Sequence, residues 1–183
     1  EEVAARAGVS KGTPFLYFPT KEELFKAVVR ENVAGRLAEW NEEYSEFQGS
    51  TADMLRYCLR AWWDRIGATK ASGITKLMFS EAQNFPEVAA FYQREVIIPG
   101  TALIRRILQR GVDRGEFEIP DIDYAVFSVI TPVIFLLMNK HSVGACVPAD
   151  QPIDVERYLA AQGDTLLRGF NARPAAPATK ERK

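Results

Sequence analysis

The residues best suited to act on a partner lie near the start of the chain, in Ser10-Lys11-Gly12-Thr13, with Arg6 before them and Lys21 after. Hydroxyls, an unhindered glycine backbone and three cations amount to hydrogen-bond donors and positive charge, the complement of phosphate oxygens. No acidic residue interrupts the run between Glu2 and Glu22. In the N-terminal half of a helix, free N–H groups and the positive end of the dipole would add to these donors. The whole chain carries a formal net charge of −1, so a basic surface here is a local patch and not a global property.

Two short helices must position this group. Val3, Ala4 and Ala7 share one helical face, Gly8 suits the left-handed position that ends a helix, and Val9 follows as an apolar plug. Ser10 is a good N-cap for a second helix over Lys11 to Phe18. Ala4 and Gly8 are small enough for the two helices to cross closely. A helix, a glycine turn and a second helix form the helix-turn-helix whose second member enters the DNA major groove. The same pattern occurs in proteins that never touch DNA, and the local absence of acids shifts the balance toward nucleic acid. Thr20 and Glu23 then read as a capping box. The helix they start carries Lys21 at its first position, then a stripe of Leu24, Phe25, Val28 and Val29, and runs on through Leu37 and Trp40. It links the basic unit to the larger remainder of the chain.

Gly8-Val9-Ser10-Lys11-Gly12-Thr13, then Tyr17-Phe18, then Lys21-Glu22-Glu23-Leu24-Phe25 closely resembles the DNA-binding motif of TetR-family (tetracycline-repressor-like) regulators. The likeness covers roughly the first thirty residues, and Arg114-Gly115-Glu116-Phe117 followed by Asp123 and Ala125 resembles the family's second domain more weakly. The resemblance implies an all-α fold. A helix-turn-helix domain over residues 1–34 with its connecting helix would precede a helical ligand-binding and dimerisation domain over 35–171, and a disordered tail over 172–183. It places Ser10, Lys11, Gly12 and Thr13 nearest the DNA, Phe15 and Tyr17 beside them, and Lys21 on a backbone phosphate. Phe15 stands where the family often has tyrosine, so a hydroxyl contact to phosphate is lost there while Tyr17 remains. Pro14, where an apolar residue is common, falls in or just past the first helical turn and costs at most about one hydrogen bond. The chain opens inside a helix with no start methionine, and relatives carry a further helix before this point, so a first helix is expected upstream.

The rest of the chain also reads as helices. Asp53 to Ala68 carries Met54, Leu55, Cys58, Leu59, Trp62 and Ile66 at helical spacing, and Ser72 to Phe85 comes next. Pro86 starts a long helix to about Arg114, which Pro99-Gly100 should kink or split. Asp121 or Asp123 can cap a helix from Ile122 to Lys140 that is apolar nearly all round and so requires cover on more than one side. Its apolar run, Ala125 to Met138, is too short to span a bilayer and contains Pro132. A last helix, Ile153 to Phe170, has Gly163 midway, which suggests a close helix crossing. The resemblance implies that helices 122–140 and 153–170 build a homodimer interface.

Little points to catalysis. His141 has no acid, cysteine or second histidine at metal-ligand spacing and is best read as capping a helix end. Cys58 and Cys146 are distant, which supports neither a disulfide framework nor a zinc site, and a reducing cytoplasm is the natural setting. No phosphate loop, nucleophile elbow or dinucleotide fingerprint appears, and no enzyme activity, cofactor or metal is expected. A ligand pocket is plausible, because Trp62, Trp63, Met78, Phe79, Tyr92 and Phe127 are interleaved with Gln83 and Thr131, giving apolar walls with a few polar groups. The expected protein is a ligand-responsive repressor, binding a palindromic operator as a homodimer. The alternative is a helical protein that binds a small molecule or partner without using its helix-turn-helix on DNA.

Overall fold

Short side-chain caps and left-handed glycines set the helix boundaries. The computed structural model describes residues 2–146 and 152–171, and the expected tail over 172–183 lies outside the described residues. Among the described residues ten α-helices succeed one another: α1 (Glu2–Arg6), α2 (Thr13–Tyr17), α3 (Lys21–Val29), α4 (Gly35–Ser45), α5 (Thr51–Trp62), α6 (Ser72–Glu81), α7 (Pro86–Tyr92), α8 (Ile98–Asp113), α9 (Ile122–His141) and α10 (Val155–Phe170). No strand occurs among the described residues. Wide π-turns join α3 to α4 (Arg30–Ala34) and α7 to α8 (Gln93–Ile97), and a third, Trp63–Gly67, extends α5.

The helices fall into two units. One comprises Glu1–Glu46 with Asp64–Leu103, and the other Phe47–Trp63 with Ile104–Lys183. In the first, α3 packs on α7, and the two π-turns at Arg30–Ala34 and Gln93–Ile97 meet each other. Its interior holds Val29, Val33, Leu37, Trp40, Met78, Val88 and Phe91, all nearly inaccessible. In the second, α10 packs on α5 and α9. Leu55, Leu59, Ile107, Leu108, Val126, Val129, Leu137 and Leu167 form its interior.

Several expectations meet corrections. The helix expected from Pro86 to about Arg114 is divided at Gln93–Ile97, where a π-turn opens just ahead of Pro99. The N–H of Ile98 reaches back to Gln93, which widens the helix where the proline ring would press on the preceding turn. Gly163 is buried, and a side-chain carbon there would sit 3.7 Å from Arg56 and 3.9 Å from Leu59, ordinary contact distances. The helix crossing therefore does not require it. A glycine is required at Gly111, where an added carbon would fall 2.2 Å from the Phe117 ring.

Helix α9 departs most from expectation. Asp121 caps it, its carboxylate accepting the Tyr124 N–H at 3.2 Å, and the helix extends past the apolar run to 20 residues. By length and composition it could cross a membrane, the one described helix that could. Val126, Val129, Val133, Leu136 and Leu137 are buried, but Tyr124, Phe127 and Phe135 remain about half exposed or more. Within one chain this helix is covered on one side, not all round.

Candidate nucleic-acid interface

Helix α1 ends as its sequence requires. Gly8 takes φ +68°, and the N–H of Val9 donates to the carbonyl of Ala4 at 3.0 Å, the closure of a left-handed C-terminal cap. Val9 itself is 41% exposed, so it does not act as a plug. Helix α2 starts two residues later than Ser10 would dictate. Gly12 is its N-cap, and the Ser10 hydroxyl instead lies 2.7 Å from that of Thr13. Pro14 explains the shift. Starting at Thr13 puts the proline in the first turn, where a missing N–H costs nothing, whereas a helix from Lys11 would have needed that donor.

The resulting recognition helix buries no residue fully. Ser10, Lys11, Gly12, Phe15, Tyr17 and Lys21 are exposed and Thr13 is half-buried, so the sequence-predicted DNA contacts all belong to one accessible segment. Thr20 caps α3 by accepting the Glu23 N–H at 3.2 Å. The return half of the capping box is replaced, because the Glu23 carboxylate accepts from Lys26 at 2.8 Å. Glu22, next to Lys21, has its carboxyl held below the usual range by the backbone N–H at the helix start, then by the Thr20 hydroxyl.

What the sequence did not reveal is how α3 is tethered. Phe91 of α7 is 2% exposed, and both Arg30 and Lys26 lie over its ring, 4.8 Å and 5.9 Å from the centroid. A cation four residues from another on one helix face is a visible signal, but the aromatic acceptor is about sixty residues away. Beside this contact, Leu24, Phe25 and Val28 of α3 and Leu77, Met78, Phe85 and Val88 line an apolar cavity of about 400 Å³, with Lys21 and Glu22 also on its wall.

The expected ligand residues divide between the units. In the first, Met78 lines the cavity, Phe79 and Gln83 are exposed, and Tyr92 is buried with its hydroxyl 3.0 Å from that of Thr75. Burial raises the Tyr92 pKa, so the phenol stays neutral. In the second, Trp62 and Trp63 are half-buried, with Lys140 5.8 Å from the Trp63 ring centroid. Phe127 is exposed, and the Thr131 hydroxyl donates to its carbonyl at 2.7 Å. Among the described residues no group of three or more His, Cys, Asp or Glu could hold a metal ion, and neither Cys58 nor Cys146 is in a disulfide.

An accessible helix-turn-helix with basic flanks, joined to a larger helical body, defines the class of helix-turn-helix regulators. The family described as "Tetracyclin repressor-like, C-terminal domain" matches residues 47–145, more than half of the chain, and that described as "Bacterial regulatory proteins, tetR family" matches residues 1–28. The chain belongs to the TetR family: it is a transcriptional regulator with a DNA-binding helix-turn-helix, in a family of non-enzymes. Its fold is similar to that of a bacterial regulatory protein in the tetR family from Rhodococcus RHA1, at 19% identity and a TM-score of 0.66, over 94% of this chain and 86% of that one. No curated protein sequence matches it.

Proposed function

We propose that the protein is a cytoplasmic, ligand-responsive repressor that binds a palindromic operator as a homodimer. The observation that carries this reading is the position of α3. The helix bears Lys21 beside the recognition helix at one end and is clamped to α7 through Phe91. Any change at α7 therefore moves a DNA contact. Ser10, Lys11, Gly12, Thr13, Phe15 and Tyr17 face the groove, and Lys21 holds the backbone.

The inducer is a small apolar or amphipathic molecule. The cavity beside Met78 supports this, with a volume in the range of small-molecule sites and a lining that includes α3 itself. Of the residues expected to contact the inducer, Met78 lies on the wall of this cavity. The ligand acts only through a difference in affinity between the DNA-competent and incompetent states.

Two half-sites on one face of DNA require two heads. The outward apolar residues of α9, Tyr124, Phe127 and Phe135, support residues 122–140 and 153–170 as the surface where two chains meet. Selection from random duplex DNA tests the whole reading. Enrichment of a palindrome with strongly salt-dependent affinity is expected. No enrichment at low salt would leave a ligand- or partner-binding protein.

A further inference from the structure

We infer that Leu16 reads the methyl group of a thymine in the major groove, a base contact that rests on the DNA-binding reading above. Leu16 is 82% exposed, the most exposed large apolar side chain of the described residues, and it lies within the recognition helix. Thr13, Leu16 and Tyr17 are three and four residues apart and so share one face of α2. Thr13 and Tyr17 are polar, and Leu16, one turn on from Thr13, is the apolar point of that face.

The nature of the occupant is set by the surroundings. Arg6, Lys11 and Lys21 are all exposed, and no acid lies between Glu2 and Glu22, so the partner covering this face is an anion with an apolar feature of its own. Leucine has no donor or acceptor and cannot use the polar pattern of base edges. The C5-methyl of thymine is the apolar group that the major groove presents on those edges. Ser10, Lys11 and Thr13 supply the polar contacts, and Leu16 adds discrimination of thymine from cytosine at one position of each half-site. Burying one methyl group is worth about fourfold in affinity per half-site.

The test uses the full chain and the duplex recovered by selection, with each thymidine of one half-site replaced in turn by deoxyuridine, which removes only the methyl. At one position the native protein is expected to lose about fourfold in affinity. Leu16→Ala binds the unmodified duplex with a similar loss and shows no further loss at that position, while Leu16→Met keeps the sensitivity. Identical deoxyuridine profiles for the native protein and Leu16→Ala would overturn the assignment while leaving DNA binding intact. Failure to recover any duplex would instead overturn the DNA-binding reading, and this inference with it. Because Leu16 is exposed, an unchanged thermal melt is expected for both variants.

Discussion

The guanidinium of Arg30, on the π-turn at the end of α3, lies 4.8 Å from the centre of the buried Phe91 ring on α7. A cation over an aromatic face is worth about 0.5–1 kcal/mol at a partly exposed site. Lys26 lies over the same ring, but its ammonium is also held by Glu23 at 2.8 Å. Arg30→Ala is therefore expected to lower thermal stability slightly and to weaken operator binding. Its slope of log affinity against log salt stays unchanged, because Arg30 positions α3 and does not touch phosphate. A reduced slope would place Arg30 on the DNA instead.

Lys11→Ala and Lys21→Ala are expected to behave differently. Each removes one phosphate contact, so affinity falls on all sequences alike and the salt slope drops by about one per lost contact. Titrations at several salt concentrations read this directly. A slope unchanged in both variants would sink the assignment.

Glu116 ties together the start of α5. Its carboxylate accepts the backbone N–H of Thr51, and Arg114 lies 2.8 Å from its other oxygen. Arg110 donates to the Thr51 hydroxyl at 2.8 Å and to the Gly49 carbonyl at 3.0 Å. The Thr51 N–H, then the Thr51 side chain, Arg114 and Arg110, hold the Glu116 carboxyl below its ordinary value of 4.5. A depressed folded pKa stabilises the protein above the unfolded pKa, and this contribution is lost as pH falls through the folded value. Glu116→Gln should thus melt earlier than the native protein at pH 7, with the difference shrinking below about pH 4. An equal difference at about pH 7 and about pH 3 would assign the loss to packing rather than charge.

Two glycines should respond in opposite ways. Gly163→Ala has room beside Arg56 and Leu59, and removing a mid-helix glycine is expected to stabilise by about 0.5–1 kcal/mol. Gly111→Ala drives a methyl into the Phe117 ring and is expected to cost about 1–3 kcal/mol. Paired thermal melts decide both. A destabilised Gly163→Ala would mean that α5 and α10 approach more closely than these distances indicate.

The outward face of α9 offers a test of assembly. The Phe127 and Tyr124 rings lie 6.2 Å apart and both are exposed. Phe127→Glu is expected to shift sedimentation from dimer to monomer and to lose operator affinity without altering the helical content of the chain. A dimer that survives this change would move the interface away from that face.

The sequence by itself determined what depends on neighbours along the chain. Gly8 ends α1, Thr20 caps α3 and Asp121 caps α9, because a cap needs only residues within one turn. The helical periods and the motif from Gly8 to Phe25 likewise lie in local order, so the all-α class and the family were legible without coordinates. Even locally, a competing effect could win, as Pro14 did over Ser10 in setting the start of α2. Only the tertiary structure decided which distant groups meet. Glu116 completes the cap of a helix that begins 65 residues earlier, and Phe91 receives two cations from α3 and its π-turn. The π-turn that accommodates Pro99 packs against a second π-turn far away in sequence. Helix α9 reads as apolar all round, yet its own chain covers one side alone. Periodicity records how apolar a face is. What covers that face depends on the packing of elements separated by long stretches of chain.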